Sequence, residues 1–219
     1  MTETEWLTCT DPTPMLEFLR GKATDRKLRL LACACCRRIW HRFRDQRSRQ
    51  AVEIAEQYAD EPNSHELRSA LSQASVAALS VMSDSHLDES DRVSGYAAHH
   101  AAYPSDPNQF AGFAWHAVAL AISPSNRMMR AAASKLCRDI FGNPFRPVSI
   151  ASCWVTWNGG TVAKLAAGVY EQRKFEDLPI LADALEDSGC ADASLLEHLR
   201  GPGPHVRGCW AIDLLLGKE

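Results

Sequence analysis

The sequence predicts an all-α protein, a multi-helical bundle of amphipathic helices. Apolar residues recur every three or four positions in at least six separate segments, which is the period of a helix with one buried face. Alanine, the strongest helix former, dominates much of the middle of the chain. Strand signals are weak and confined to residues 148–150 and 153–155. These three observations together favour helices throughout.

The first dozen residues are expected to form a loop that leads into a short helix. Thr13 is the predicted N-cap, Pro14 suits the first helical position, and Glu17 follows at the distance of a capping box. Gly21 is then expected to end this helix, because glycine readily adopts the left-handed conformation found after a helix C-terminus.

A long amphipathic helix is predicted to begin at Thr24 and Asp25. Its buried face is expected to consist of Leu28, Leu31, Cys35, Ile39 and Phe43. Helical periodicity continues over residues 46–59, and Ser64 is placed to cap the helix that follows.

The region from residue 64 to 122 is rich in alanine and serine and is predicted to be helical, with a break at residues 104–107. Residues 110–122 read as an apolar helix. Another helix is expected to follow residues 125–126 and to stop at Gly142, which stands directly before Asn143 and Pro144.

Residues 143–160 are the least helical part, and we expect an irregular crossing loop rich in proline and tryptophan. The helices predicted after it cover residues 161–173, 178–187, 192–199 and 206–216. We expect an N-terminal helical region, residues 1–147, that contains the alanine-rich middle. A C-terminal helical subdomain, residues 148–219, is expected to pack on it, and a single domain is the alternative.

Composition excludes several classes of protein. The 219 residues are 46% hydrophobic and 23% charged, which is typical of a globular chain. No stretch approaches the roughly 18 uncharged apolar residues that span a bilayer, and the acidic first residues do not resemble a secretory signal. Three of the eight cysteines crowd into one predicted helix, so we interpret the cysteines as reduced thiols. The expected location is the cytoplasm, away from membranes.

Five segments carry distinctive sequences. They are DRKLRLLACACCRRIW (residues 25–40), RDIFGNPFRP (138–147), LPILADALEDSGC (178–190), GPGPHVRGCW (201–210) and DLLLGKE (213–219). Together they resemble a large family of uncharacterised bacterial proteins of planctomycete type. The resemblance implies a bacterial cytoplasm and a helical fold, and it brings no reaction, cofactor or partner with it.

Residues 22–49 form a basic segment, with ten lysine and arginine residues against two aspartates, in a chain of net charge −3. A positive field of this kind can bind phosphates or a partner protein. Alternatively, the acidic remainder of the chain neutralises it, and the arginine stems pack over the core. The candidate residues for binding a partner or nucleic acid are Arg37, Arg38, Arg42 and Arg44.

The C-terminal tail contains the residue types that bind tetrahedral zinc. The candidates are Cys190, His198, His205 and Cys209, in the spacing C-x7-H-x6-H-x3-C. His205 and Cys209 stand about one helical turn apart, but Cys190 and His198 match no familiar zinc finger. Since cysteine is among the most buried residue types, core cysteines with surface histidines are the favoured alternative. We therefore expect no cofactor, and zinc is the alternative.

No arrangement of residues predicts catalysis. A Cys–His nucleophile such as Cys209 with His205 needs a third group to orient the histidine, and the sequence indicates none. His99 and His100 are expected at the surface. The predicted function is that of a non-enzymatic helical interaction or accessory protein with a protein partner. The alternatives are nucleic-acid binding through residues 26–49 and a structural zinc site in the tail; no oligomeric state is predicted.

Overall fold

The computed structural model describes residues 1–103 and 127–218. Within these ranges 73% of the residues are helical and none is in a strand, which confirms the all-α prediction. The weak strand signals at residues 148–150 and 153–155 therefore do not correspond to strands. The predicted break at 104–107, the apolar helix at 110–122 and the helix start at 125–126 lie outside the described residues. No helix within the described ranges is long and apolar enough to cross a bilayer.

The described ranges contain eleven α-helices and two short 3₁₀ turns. The α-helices are α1 (Glu3–Thr8), α2 (Pro12–Leu19), α3 (Asp25–Arg38), α4 (Gln46–Asp60), α5 (His65–Met82), α6 (Glu89–Ala102), α7 (Arg127–Phe141), α8 (Ser152–Gln172), α9 (Leu178–Asp187), α10 (Ala193–Arg200) and α11 (Trp210–Leu216). The 3₁₀ turns are Trp40–Arg42 and Phe175–Asp177.

The chain divides into two compact units. The N-terminal unit consists of Met1 with Thr8–Cys137, and the C-terminal unit of Thr2–Leu7 with Arg138–Glu219. The division falls inside α7, between Cys137 and Arg138, whereas the sequence prediction placed a boundary after residue 147.

The first helices begin earlier than predicted. The expected N-terminal loop contains α1, whose Trp6 is fully buried and donates a 2.9 Å hydrogen bond from Nε1 to the Gly142 carbonyl. The prediction of Thr13 as N-cap is wrong as well. Asp11 caps α2 by accepting a hydrogen bond from the Thr13 backbone N–H, because Pro12 takes the first helical position.

Polar side chains cap four later helices of the N-terminal unit, two of them as the sequence predicts. Thr24 accepts a hydrogen bond from the backbone N–H of Lys27 at the start of α3, and Ser64 accepts one from Leu67 at the start of α5. Asp45 and Asp88 cap α4 and α6 in the same way.

The predicted buried face of the third helix is confirmed, although the helix is shorter than expected. The residues of that face, Leu28, Leu31, Cys35, Ile39 and Phe43, are all buried. The α-helix ends at Arg38, and the 3₁₀ turn at Trp40–Arg42 continues to direct Phe43 into the core. Helical spacing in the sequence therefore persists beyond the end of the α-helix.

Helices α5 and α6 approach each other closely at Gly95. A Cβ atom added there would lie 2.7 Å from Val81 Cβ and 2.8 Å from the Ala78 carbonyl oxygen. The same helix buries His99 and His100, which contradicts the expectation that both lie at the surface. Nδ1 of His99 lies 2.9 Å from Ser75 Oγ, so the ring is held by a polar partner on α5.

The C-terminal unit has its own hydrophobic core. Its buried residues come from the last four helices and include Val162, Ala166, Leu178, Leu181, Leu185, Leu195, Leu199, Ile212 and Leu215. The predicted irregular region is partly helical, because α8 begins at Ser152. A kink interrupts this helix at residues 157–160, where Asn158, Gly159 and Gly160 have positive φ angles. The uninterrupted part then starts near residue 161, as predicted.

Candidate functional site

Four potential metal ligands converge in the C-terminal unit. They are Asp139, His198, His205 and Cys209, and one donor atom from each lies within 4.8 Å of the others. Asp139 is 2% exposed and Cys209 is fully buried, whereas the His198 side chain is 21% exposed, so the cluster extends from the core to the surface.

Separate parts of the chain supply the four side chains. Asp139 comes from the last turns of α7 and His198 from α10. His205 lies in the turn between α10 and α11, and Cys209 is the residue directly before α11. Two glycines in this turn, Gly203 and Gly208, have positive φ angles that let the chain reverse over a few residues.

The donor atoms face a common point. Nε2 of His198 lies 3.2 Å from Cys209 Sγ and 3.3 Å from Asp139 Oδ1. Nδ1 of His205 lies 3.0 Å from the same Asp139 oxygen. Because a single nitrogen of His198 faces both the sulfur and the carboxylate, these contacts converge and do not form a linear relay.

The outward-facing atoms of the cluster are held by the backbone. Nε2 of His205 donates to the Gly201 carbonyl at 3.1 Å, and the backbone N–H of Val206 donates to Asp139 Oδ2 at 3.0 Å. Both contacts leave the inward-facing atoms, His205 Nδ1 and Asp139 Oδ1, directed at the cluster. Orienting contacts of this kind are typical of metal ligands, although a polar cluster without metal also uses them.

Burial and neighbouring charges shift two of the pKa values. Burial raises the pKa of the Cys209 thiol well above its usual 9.0, and the Asp139 carboxylate raises it further. Backbone N–H groups of Ile212 and Ala211 oppose this shift, because they stabilise a negative sulfur at the start of α11. Burial also lowers the pKa of His205, but the Asp139 carboxylate outweighs burial, and the net shift is upward from 6.5.

The structure brings together three of the four ligands that the sequence suggested. Cys190 lies apart from the cluster, buried in the core after α9, where its backbone N–H donates to the Leu185 carbonyl. Asp139 takes the fourth position. It stands 59 residues before His198 in the sequence, so no local spacing signals its contribution.

The cluster does not have the geometry of a cysteine protease-type site. A nucleophilic triad needs the carboxylate on one ring nitrogen of the histidine and the thiol on the other. Here His198 presents the same nitrogen to Asp139 and Cys209, and the thiol is fully buried. The pairing of Cys209 with His205 also lacks support, because the two nitrogens of His205 face Asp139 and Gly201.

Much of the basic segment in the N-terminal unit contacts its own chain. Arg37 forms two hydrogen bonds with Glu56, at 2.7 and 3.2 Å, and its guanidinium lies 4.0 Å from the centre of the Trp40 ring. Arg26 pairs with Asp60 at 3.0 Å. The other intramolecular contacts of this kind are made by Arg29 with the Ala101 and Tyr103 carbonyls, by Arg47 with Asp45 and Asp84, and by Arg49 with the Phe43 carbonyl.

A short stretch of the basic segment remains at the surface, and we call it the basic turn. It comprises Arg38, His41, Arg42 and Arg44, all of which are exposed. Arg44 pairs with Asp88 at 3.0 Å, but both side chains are about half exposed or more. Among the described residues, no carboxylate lies within ion-pair distance of Arg38 or Arg42.

Comparison of this chain with protein-family models, with curated proteins and with solved structures finds no match.

Proposed function

We propose that this chain is a non-enzymatic helical accessory protein that binds an acidic segment of a partner protein through the basic turn. The observation that carries the proposal is the contrast within one charged segment. Arg37 is held by a buried glutamate, whereas Arg38 and Arg42 project from the surface. The guanidinium groups of Arg38 and Arg42 are therefore accessible to the carboxylates of a partner.

The size of the basic turn favours an acidic peptide over nucleic acid. The turn offers three arginines and a histidine within seven residues, which suits a few carboxylates. Sequence-independent nucleic-acid binding commonly uses about 6–10 phosphate contacts, more than this turn can supply. The exposed Arg44–Asp88 pair adds little stability, so a partner carboxylate can replace Asp88 at small cost.

Anisotropy with two labelled probes tests this proposal. One probe is a fluorescein-labelled glutamate-rich peptide, and the other is a single-stranded DNA of the same length. We expect the peptide to bind more tightly, with an affinity that falls between about 50 and about 200 mM NaCl. The combined substitutions Arg38→Glu, Arg42→Glu and Arg44→Glu should abolish binding and leave the helical circular dichroism spectrum unchanged.

A matched control variant makes an equal change in net charge elsewhere in the N-terminal unit. The substitutions Arg20→Glu, Arg68→Glu and Arg92→Glu alter three exposed arginines outside the basic turn. They should leave most of the peptide binding intact. Equal losses in the two triple variants would refute a localised site, and tighter binding of DNA would favour the nucleic-acid alternative.

The remaining parts of the proposal concern location and cofactor. The eight free cysteines, five of them in the N-terminal unit, support a reducing compartment such as the bacterial cytoplasm that the sequence resemblance implies. Zinc is the cofactor that we propose, and the donor cluster of the C-terminal unit supports it.

A further inference from the structure

We infer that Asp139, His198, His205 and Cys209 hold one Zn²⁺ ion as a closed structural site. This inference deepens the cofactor proposal by assigning its ligands and its role, and it does not depend on binding at the basic turn. The convergence of four donor atoms from separate segments is the observation that carries it.

The distances fit an ion at the centre of the cluster. Zinc lies about 2.0–2.2 Å from nitrogen and oxygen ligands and about 2.3 Å from sulfur, so neighbouring ligands of a tetrahedral site are roughly 3.3–3.6 Å apart. Three of the six donor pairs here are 3.0, 3.2 and 3.3 Å apart, and the other three are within 4.8 Å. Three pairs are therefore within a few tenths of an ångström of the tetrahedral spacing, and the others need to close by about 1.5 Å at most, a distance that side-chain rotation can cover.

The hydrogen bonds outside the cluster leave the ligand atoms directed inward. A carbonyl oxygen can only accept, so the contact with Gly201 requires a hydrogen on Nε2 of His205. In a neutral ring, Nδ1 then presents a lone pair towards the Asp139 carboxylate at 3.0 Å. A cation between these two atoms is coordinated by both, and it displaces the proton that Nδ1 shares with the carboxylate when no metal is bound.

Charge balance favours a divalent ion. With Asp139 as carboxylate and Cys209 as thiolate, the two anionic ligands match the charge of Zn²⁺, and the buried site becomes neutral overall. Buried charges are costly unless paired or bound to metal.

The donor set determines both the metal and its role. Mixed sulfur, nitrogen and oxygen donors in groups of four suit zinc, whereas calcium and magnesium prefer oxygen alone. Catalytic zinc sites keep one position for water or substrate, and structural sites use four protein ligands. Because four protein donors are present and the thiol is buried, we assign a structural role, fastening the turn between α10 and α11 to the end of α7.

Metal analysis of the whole chain, purified without added chelator, tests this inference. We expect about one zinc per chain by mass spectrometry of the metal. Removing zinc with a chelator should lower the melting temperature, and adding Zn²⁺ should restore it. Hydrogen exchange should become faster in residues 201–216 after chelation, whereas residues 46–82 of the N-terminal unit should change little.

Two cysteine variants provide a matched comparison. Cys209→Ala and Cys190→Ala each remove one buried thiol from the C-terminal core, but only Cys209 belongs to the cluster. We expect Cys209→Ala to weaken zinc binding at least tenfold and Cys190→Ala to leave it unchanged. His198→Gln provides a second ligand variant at a less buried position, in case Cys209→Ala does not fold.

Cobalt reports on the coordination directly. Co²⁺ added to the metal-free protein should give the strong visible bands of a tetrahedral site and a sulfur-to-metal charge-transfer band. Absence of zinc and cobalt binding would overturn both the cofactor proposal and this inference. Cobalt spectra of a five- or six-coordinate site, or zinc binding with unchanged exchange in residues 201–216, would overturn only the structural role. Equal zinc content in Cys209→Ala would overturn the ligand assignment.

Discussion

The contact between Arg37 and Glu56 offers the sharpest test of how the N-terminal unit is stabilised. The Glu56 side chain is 3% exposed and the Arg37 side chain 29%, and their two hydrogen bonds join α3 to α4. Replacement of Arg37 by methionine removes the guanidinium and keeps most of the apolar stem. The carboxylate of Glu56 then stays buried and loses both hydrogen bonds from Arg37.

The expected loss of stability is about 3 kcal/mol. Removing one partner of a buried ion pair costs about 3–5 kcal/mol, and the partial exposure of Arg37 places this pair near the lower end. Loss of the cation–π contact with Trp40, whose ring centre is 4.0 Å from the guanidinium, contributes up to about 1 kcal/mol of that total. Arg42→Met, at the surface, should change stability by less than about 0.5 kcal/mol.

Urea unfolding followed by circular dichroism measures these differences. The variants needed are Arg37→Met, Glu56→Gln, the double variant and Arg42→Met. Because the two side chains contact each other directly, the double variant should lose less than the sum of the single variants, by at least about 1.5 kcal/mol. A loss below about 0.5 kcal/mol for Arg37→Met, or strict additivity, would refute the argument that this pair holds α3 against α4.

Two further predictions concern glycine positions and buried thiols. Gly95→Ala should destabilise the protein by about 1–2 kcal/mol despite better helix propensity, because the added Cβ would meet α5. Gly168→Ala, with no atom within 4 Å of the added carbon, should be neutral or stabilising by up to about 1 kcal/mol. Urea unfolding midpoints compare the two variants, and equal effects would contradict the close approach of α5 and α6. Burial raises the pKa of the Cys33, Cys35 and Cys36 thiols above 9.0. As pH rises, the unfolded chain therefore loses these protons before the folded chain does. The free energy of unfolding should then fall above pH 9, by up to about 4 kcal/mol per pH unit for three thiols. Cys35→Ala should reduce that slope by about a third, and a slope unchanged in this variant would show that other groups cause the loss.

Helices with a clear apolar period and a polar cap were predictable from the sequence. Thr24 and Ser64 start α3 and α5 as expected, because a cap needs only a local side chain and a nearby backbone N–H. α1 was missed because six residues with one buried side chain, Trp6, carry no period. Its formation depends on tertiary packing, which local propensity does not include.

The sequence indicates three of the four residues of the candidate metal site, but not the complete set. His198, His205 and Cys209 lie close enough in sequence for their chemistry to suggest a cluster. Asp139 could not be identified, because an aspartate in a helix has no distinguishing signal until the fold brings it to the other three. Cys190 has the same chemistry as Cys209 but lies outside the donor cluster, and two buried thiols cannot be told apart in the sequence.

The contact between Trp6 and Gly142 has a consequence for the order in which the chain is made. The indole nitrogen and its acceptor are 136 residues apart in sequence, and both belong to the C-terminal unit. Translation adds about 5–20 residues per second, so Trp6 emerges from the ribosome roughly 7–27 s before the carbonyl that it binds. During this interval the large apolar ring has no native site, and residues 8–137 complete their synthesis first. The C-terminal unit therefore combines a segment translated before residues 8–137 with one translated after them, so α1 can reach its native packing only when the later segment has been made.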